Sequence, residues 1–316
     1  MPTFFFVAIS IVCCFLLTRL PGLTFFIAIL WGVSLIGSAL YLDKKRLILL
    51  YSINLVVLYV LAGVSSFFFY LSFFGLAGIV MGLLVLENKG YYEVQKWGII
   101  ASVIGVSVFI FIAYFGAADL GMEQLEQQAQ SYIGESIQDL EAKGMFEIYA
   151  KRGITKADFE EKMYSFAAVI LKHIPAFYYL QSILVTFTML LFASWVSLKR
   201  DFGRLKKRPF SQEVMPWQLV WVMIAGLLLW LIGRSEMSLI YYAGSNMIAI
   251  LVPITMYFGL AALIFKLREQ KTSRAKWIII PLIVLGIIFP ISVIIFLSIF
   301  GLFDALLDYR KLRINE

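Results

Sequence analysis

The chain contains a stretch of forty residues, 47–86, without a single charged side chain. A transmembrane α-helix needs about 20 apolar residues, each adding about 1.5 Å, to cross the hydrocarbon core of a bilayer. Residues 47–86 are therefore long enough for two crossings, and we predict that they divide near Gly63, Ser65 and Ser66. Further charge-free runs lie on both sides of this stretch. We therefore predict that the chain folds as α-helices within the membrane.

Composition places the whole chain in the membrane class. Hydrophobic residues make up 61% of the 316 positions and charged residues 15%, against roughly 25% charged in an average soluble domain. The net charge is +7, but the basic residues cluster at the ends of apolar runs and not along one helix face. This distribution indicates topology signals, so we expect membrane lipid as a partner and no nucleic acid.

The order of apolar and charged segments predicts an all-α, polytopic membrane protein with about eight to ten membrane segments. We divide it into N-terminal membrane helices (1–118, about five spans), an acidic helical insert (119–163), C-terminal membrane helices (164–303) and an amphipathic cytoplasmic tail (304–316). With the N-terminus inside, the basic loops fall in the cytoplasm and the insert falls outside. Residues 277–303 form either one span or a hairpin bent at Pro290, which leaves the side of the C-terminus open.

The insert is a long polar segment between apolar runs. Residues 117–163 carry ten acidic side chains against five basic ones, although the chain as a whole is basic. Apolar positions at near-helical spacing, from Leu125 to Leu140, and an N-cap pattern at Thr155 and Asp158 predict two helices. We expect the second helix to run into the membrane and to bend at Pro175.

Two pairs of small residues four apart lie in the apolar runs. Gly78 and Gly82 form a GxxxG pair, and Ser34 and Ser38 form a similar pair. Because small side chains let helix backbones approach closely, such pairs favour helix association in lipid. The pairs are explained either by packing within this chain or by an interface with a partner.

Three uncharged polar side chains, Asn54, Gln181 and Asn246, interrupt the spans. An unpaired hydrogen-bonding group in lipid costs on the order of a few kcal/mol, so each must face the helix bundle or a cavity. Asn246 closely follows Tyr241 and Tyr242, which makes this stretch a candidate for binding a small molecule. The alternative is an interhelical hydrogen bond beside an interfacial aromatic belt.

The sequence lacks the groups that many membrane enzymes and pumps need. No Asp or Glu lies in the middle of a predicted span, and there is no Walker A, HExxH or GxSxG pattern. Cys13 and Cys14 are adjacent and His173 is the one histidine, so we expect neither a disulfide nor a metal site. We predict no enzymatic activity and no cofactor, and uphill transport would need energy from another subunit.

The C-terminal half carries a resemblance to a known family. Its residues follow in this order along the chain: Pro216, Trp217, Leu219 and Trp221, then Asn246, then Tyr257, Phe258 and Gly259, and finally Gly301, Leu302, Phe303, Asp304, Asp308, Tyr309 and Arg310. This pattern resembles the YybS-like family of bacterial predicted membrane proteins, which has no established function. That family is distantly similar to the S components of energy-coupling-factor (ECF) transporters, which capture a vitamin or metal and dock on a transmembrane subunit driven by two ATPases.

The resemblance implies a substrate-binding subunit of an uptake system in the bacterial cytoplasmic (inner) membrane. Docking on the coupling subunit would fall to small residues of an early helix: Gly32, Ser34, Gly37 and Ser38. Substrate would bind at Tyr241, Tyr242, Asn246 and Gln181. S components usually have six spans, so the additional spans and the insert depart from their pattern.

A second interpretation is a non-catalytic membrane scaffold, in which the insert and the basic loops bind other envelope proteins. A sealed, ligand-sized cavity would favour substrate binding, whereas a solid bundle with an exposed small-residue face would favour the scaffold. In either case we expect the terminal segment, with Asp304, Asp308 and Arg310, to lie along the cytoplasmic surface or to be held by a partner.

Overall fold

The computed structural model describes residues 2–115, 122–198 apart from 152 and 154, 205–234, 239–269, and 284–312 apart from 285. Each element of secondary structure in these ranges is helical, as predicted for an all-α membrane protein. The chain divides into two compact units, residues 1–207 (unit 1) and residues 208–316 (unit 2).

Unit 1 is built around a tightly packed membrane core. Its described helices are α1 (Pro2–Arg19), α2 (Thr24–Ser38), α3 (Lys44–Tyr70), α4 (Leu76–Leu86), α5 (Tyr91–Phe115), α6 (Met122–Ala142), α7 (Met145–Ala150), α8 (Lys156–Lys172) and α9 (Ile174–Leu198). Helix α2 lies centrally, since it packs against α1, α4 and α9. The largest fully buried side chains of this core include Trp31, Phe73 and Phe74.

Six helical stretches among the described residues are long and apolar enough to cross a membrane. The longest, Lys44–Leu86, has 43 residues but is not one span, because Gly63 adopts φ 72° and ψ 174°, a backbone conformation that favours glycine. The rings of Tyr59 and Phe67 lie 5.6 Å apart, although eight residues of straight helix would separate them by about 12 Å. The chain therefore reverses at Gly63, where the sequence predicts the division.

Two shorter apolar helices, Phe4–Arg19 and Gln218–Gly233, add to these stretches. Together they agree with the expected range of membrane segments, and the protein is a multi-pass integral membrane protein. Of residues 277–303, for which the sequence allows one span or a hairpin, 277–283 and 285 lie outside the described residues.

A π-helical segment, Leu71–Gly75, joins α3 to α4. The hydroxyl of Ser182 on α9 donates a hydrogen bond to the carbonyl oxygen of Phe73 in this segment (2.7 Å), and Ser102 on α5 bonds to Ser182 (2.6 Å). A Cβ on Gly105 of α5 would overlap the Ser72 carbonyl oxygen. The irregular segment is thus held by close contacts from two neighbouring helices.

The described part of unit 2 consists of three long helices and a short turn. The turn is a 3₁₀ helix, Phe210–Gln212, and it is followed by α10 (Gln218–Gly233), α11 (Leu239–Glu269) and α12 (Pro290–Leu307). Helix α11 packs against both α10 and α12. Helix α12 begins at Pro290, because proline has no backbone N–H and is best placed in the first turn of a helix. This helix start is compatible with the hairpin alternative for 277–303, which stays a prediction.

Glycines set the distance between the helices of unit 2. A Cβ on Gly301 of α12 would overlap the Thr255 carbonyl oxygen of α11, and a Cβ on Gly259 would overlap the Leu297 carbonyl oxygen. Nearer the start of α11, a Cβ on Gly244 would lie 2.7 Å from the Gly226 carbonyl oxygen of α10. These neighbours are backbone atoms, which cannot move aside without moving a whole helix.

We expect Gly301→Ala to lower the free energy of unfolding by about 1–3 kcal/mol, because the added methyl group must push α12 away from α11. The measurement is SDS-induced unfolding in mixed micelles. Gly22→Ala is the matched control, since a Cβ on Gly22 meets no atom within 4 Å. Equal stability of the two variants would contradict the close-contact interpretation.

The insert folds as a helical hairpin with a small core of its own. Ile133 and Ile137 of α6 are buried, and the ring of Tyr149 on α7 stacks on Phe159 of α8 at 5.6 Å. The ammonium of Lys156 at the start of α8 lies 2.6 Å from a carboxylate oxygen of Glu141 on α6. The sequence predicted two helices here, and the structure adds the short α7 between them.

Thr155 and Asp158 form a capping box at the start of α8. The Thr155 hydroxyl accepts a hydrogen bond from the Asp158 N–H (3.1 Å), and Asp158 Oδ2 accepts one from the Thr155 N–H (3.3 Å). The predicted N-cap is confirmed. Hydrogen bonds from the Thr155 hydroxyl and backbone hold the pKa of Asp158 below its usual value.

This lowered pKa gives the start of α8 a pH-dependent stability. Because the folded pKa is below the unfolded one, the carboxylate stabilises the cap above the unfolded pKa, and the stabilisation is lost as pH falls through the folded pKa. We expect hydrogen exchange at 156–159, corrected for intrinsic rates, to speed up over that acidic range. Asp158→Asn should remove this dependence, and an unchanged pH profile in the variant would contradict the assignment.

Candidate functional site

A buried polar cluster around Asn54 joins three helices of unit 1. The side-chain oxygen Oδ1 of Asn54 accepts hydrogen bonds from the indole N–H of Trp31 (3.0 Å) and the thiol of Cys14 (3.0 Å). Its amide nitrogen donates to the hydroxyl of Ser10 (3.2 Å) and to the Leu50 carbonyl oxygen (2.9 Å). Asn54 is therefore fully satisfied and links α1, α2 and α3.

This cluster fits a structural role better than a ligand site. An amide has two donors and one oxygen with two lone pairs, and all four positions of Asn54 are used by the protein. The expectation that Asn54 faces the bundle is confirmed. Cys14 bonds to Asn54, and Cys13 and Cys14 are both free thiols in the structure.

The second buried polar cluster is an ion pair in unit 2. The guanidinium of Arg310 binds Asp304 through Nε (3.2 and 3.1 Å) and Nη2 (2.7 Å), and the two residues are 5% and 3% exposed. Nη1 and Nη2 also donate to the carbonyl oxygens of Ser211 (2.6 Å) and Glu213 (2.7 Å). The guanidinium carbon lies 5.9 Å from the centre of the Phe265 ring on α11.

A tight turn after α12 brings these two side chains together. Asp308 has φ 45° and caps the helix by donating its N–H to the Asp304 carbonyl oxygen (2.9 Å). Its own carboxylate accepts the N–H of Leu312 (3.1 Å). Asp tolerates this left-handed conformation better than most residues, and the reversal places Arg310 back over Asp304. The pair thereby fastens the end of α12 to the turn that opens unit 2.

The structure corrects the expectation for the terminal segment. Asp304 belongs to the last turn of α12, and Asp304 and Arg310 face inward and do not lie along a surface. In the described part of this segment the exposed residues are Leu306, Leu307, Tyr309 and Lys311. The reason is that Arg310 finds one carboxylate and two carbonyl oxygens inside unit 2, which together replace the hydration of its charge.

The small residues that were predicted at helix contacts and at the docking surface pack inside unit 1. The set is Gly32, Ser34, Gly37 and Ser38 on α2, and Gly78 and Gly82 on α4, and all six are buried. A Cβ on Gly37 would lie 2.8 Å from the Phe6 ring, and one on Gly82 would overlap the Tyr51 hydroxyl. The docking surface expected on α2 is therefore wrong for these residues, because helices of the same chain cover them.

The four residues expected to bind substrate do not form one site within either unit. Gln181 lies on α9 in unit 1, whereas Tyr241, Tyr242 and Asn246 lie near the start of α11 in unit 2. All four are partly buried. The Asn246 amide nitrogen donates to the Tyr242 carbonyl oxygen of its own helix (2.7 Å), and the Tyr241 ring lies 6.3 Å from Trp230 on α10.

Sequence reasoning missed the partners of the two buried clusters. Ser10 and Trp31 bond to Asn54 from two earlier helices, and Ser211 and Glu213 bond to Arg310 from almost a hundred residues away. For the first cluster the available signal was a hydrogen-bonding side chain in each of the first three spans, Ser10, Trp31 and Asn54, a pattern typical of an interhelical network. No comparable signal identifies backbone carbonyl groups as the partners of an arginine. Among the described residues no group of His, Cys, Asp and Glu is arranged to hold a metal ion.

Residues 7–305 match the family model described as "Predicted membrane protein (DUF2232)". The chain belongs to this family. The match to the DUF2232 family spans both units and takes in Asp304, while Arg310 follows its end. No curated protein and no solved structure matches the chain. Membership establishes an integral membrane protein of a family without an assigned function.

We expect Asp304→Asn to lower the free energy of unfolding by about 3–5 kcal/mol, because it leaves the buried Arg310 charge without a carboxylate. Arg310→Lys should also be destabilising, since an ammonium group cannot match the planar fork that reaches Asp304 and two carbonyl oxygens. SDS-induced unfolding in mixed micelles measures both effects.

The matched control for these variants is Lys266→Gln. It removes an exposed ion pair on α11, in which Lys266 Nζ lies 2.9 Å from Glu269 Oε2. Exposed pairs contribute less than about 1 kcal/mol, so this variant should unfold almost like the wild type. If Asp304→Asn lost no more stability than the control, the buried pair would not be what fastens unit 2.

Proposed function

We propose that the chain is the substrate-binding membrane subunit of a small-molecule or vitamin uptake system. Transport energy would come from separate subunits that carry ATPases, since the sequence has no nucleotide-binding motif. The protein would perform no catalysis and would need no cofactor. It would sit in the bacterial cytoplasmic membrane with its N-terminus inside and the insert outside.

The number of apolar helical segments in unit 1 supports this proposal. Once Lys44–Leu86 is divided at Gly63, the described part of unit 1 has six apolar helical segments: α1, α2, 44–62, 64–86, α5 and α9. Six is the usual number in the S components that the sequence distantly resembles. The additional spans belong to unit 2, so they do not alter the six-segment body.

The interior of unit 1 holds two hydroxyl groups available for hydrogen bonding. Tyr51 Oη and Thr186 Oγ1 are buried, and neither has a hydrogen-bond partner among the described residues. A buried hydroxyl without a partner costs about 1–3 kcal/mol, which a polar guest molecule would recover. Tyr51 points at Gly82, and Thr186 packs beside Gly98 and Met81, so both flank the same stretch of α4.

The polar and aromatic residues of α11 are the second candidate contact region. Tyr241, Tyr242 and Asn246 offer aromatic faces and an amide of the kind that orients small ligands, and Gln181 offers an amide in unit 1. Docking on a coupling subunit would need a surface other than the buried small residues of α2.

The experiment is native mass spectrometry of the full chain purified in nanodiscs. We expect wild-type protein to carry a discrete small-molecule adduct, and Tyr51→Phe to carry less of it, because a lost hydrogen bond of about 1 kcal/mol weakens binding about fivefold. Asn246→Leu tests the second region in the same way. Tyr59→Phe is the matched control, since it removes the hydroxyl of an exposed tyrosine from the same segment, 44–62.

A clean apo mass in all variants, or only heterogeneous lipid, would contradict substrate binding. An adduct equally retained in Tyr51→Phe and Tyr59→Phe would place the ligand away from Tyr51. If Asn246→Leu alone lost the adduct, the binding region would lie in unit 2.

The insert supports a second candidate function, a non-catalytic membrane scaffold. It is a folded acidic helical hairpin between the membrane helices α5 and α9 in the chain. Tyr132 on α6 is 70% exposed. Such a surface suits a basic protein partner in the envelope. An apo mass together with a stoichiometric protein partner, lost when acidic residues of α6 are replaced by glutamine, would favour this candidate.

A further inference from the structure

Helix α8 of the insert carries an apolar stripe that no part of the described structure covers. Its residues are Phe166, Val169 and Ile170, which are 62%, 46% and 40% exposed. Tyr164 marks the side of α8 that faces α6, because its hydroxyl lies 3.9 Å from the position of a Cβ on Gly134. At about 100° per residue Phe166 points about 200° away from Tyr164, so the stripe faces away from the hairpin.

The stripe continues the exposed face of the membrane helix that follows. Ile170, Phe177, Leu184 and Leu191 recur at intervals of seven residues, and all four are exposed. Seven residues return a helix to within about 20° of the same face. The last three belong to α9, a 25-residue apolar helix with a candidate span at Ile174–Ser197, so their exposed face is the one that meets lipid.

The junction between the two helices is a single residue held by hydrogen bonds on both sides. His173 alone separates α8 from α9, with φ −103° and ψ 2°. Its N–H donates to the Ile170 carbonyl oxygen (2.9 Å), and its carbonyl oxygen accepts the N–H of Phe177 (3.3 Å). The His173 N–H bonds three residues back and the Phe177 N–H four residues back, so hydrogen-bonded turns run into and out of the junction, and the exposed residues of α8 are followed directly by those of α9.

We propose that Phe166, Val169 and Ile170 are embedded in the lipid leaflet on the insert's side of the membrane. The C-terminal half of α8 is then part of the membrane surface, and the acidic hairpin rests on the bilayer. Helix α9 spans about 37 Å by itself, more than the roughly 30 Å hydrocarbon core, so the stripe lies at the level of the headgroups and upper acyl chains.

The charges of α8 match this depth. Lys162 lies one turn before Phe166, and Lys172 lies at the end of the helix, where each ammonium can reach lipid phosphates while its stem packs on apolar atoms. The acidic residues of α8, Asp158, Glu160 and Glu161, are confined to its first half. The first half of α8 is therefore polar, and its second half faces lipid. This inference does not depend on the proposed function.

The test is spin-label accessibility in the full chain, in nanodiscs of phosphatidylethanolamine and phosphatidylglycerol. A nitroxide at Phe166→Cys is compared with one at Phe177→Cys on α9 and one at Tyr132→Cys on α6. The native Cys13 and Cys14 are buried, and unmodified protein corrects for any labelling of them. Power saturation with oxygen and with a water-soluble nickel chelate reports lipid and water, respectively.

We expect the Phe166 label to resemble the Phe177 label, with high oxygen and low nickel accessibility, while the Tyr132 label shows the reverse. Val169→Cys provides an independent position if Phe166→Cys does not fold. Nickel accessibility at both stripe positions equal to that at Tyr132 would overturn the proposal, because the stripe would then face water. Low accessibility to both reagents, with dipolar broadening between labels, would also overturn it, because a second copy of the chain would then cover the stripe.

Discussion

The structure depends on helix backbones that approach closely at glycine. Lipid chains are as apolar as leucine, so two helices gain little by hiding apolar side chains from the bilayer and associate mainly through dispersion contacts at short range. Gly105 against Ser72 in unit 1 and the reciprocal contact of Gly259 and Gly301 in unit 2 have this character. Each leaves room for a backbone atom where a side chain would stand, and the large residues of the core fill the remaining space.

Buried polar groups add orientation to this packing. In a medium without water each donor and acceptor needs a protein partner, so a satisfied cluster fixes which helices meet and at what height. Asn54 does this for three helices with four hydrogen bonds, and Arg310 does it for the two ends of unit 2 with a carboxylate and two carbonyl oxygens. Tyr51 and Thr186 are different, since their hydroxyls have no such partner among the described residues. That difference distinguishes the two satisfied clusters, which specify the fold, from the region that the proposed function assigns to a guest molecule.

Local signals in the sequence predicted the elements well. The division at Gly63 and the cap at Thr155 each follow from the backbone preferences of one or two residues, and both are present. The pairing of distant groups could not be predicted in this way. Asp304 and Arg310 are charged residues near a chain end, a pattern typical of a solvated tail, and only the left-handed turn at Asp308 together with carbonyl groups almost a hundred residues earlier makes their burial favourable. Likewise, small residues on α2 look the same in sequence whether they meet a partner or another helix of the chain.

The π-helical segment Leu71–Gly75 has a consequence for the whole of α4. A π turn holds one residue more than an α turn, and each residue advances a helix by about 100°, so the segment resets the angular phase of everything that follows it. Gly78 and Gly82 face Leu35 and Tyr51 only in that phase. Deleting one residue from 71–75 would leave the hydropathy and the length of the span nearly unchanged, yet it would rotate the glycine face of α4 away from the helices it meets. The bundle is therefore sensitive to the number of residues in this segment and not only to their type.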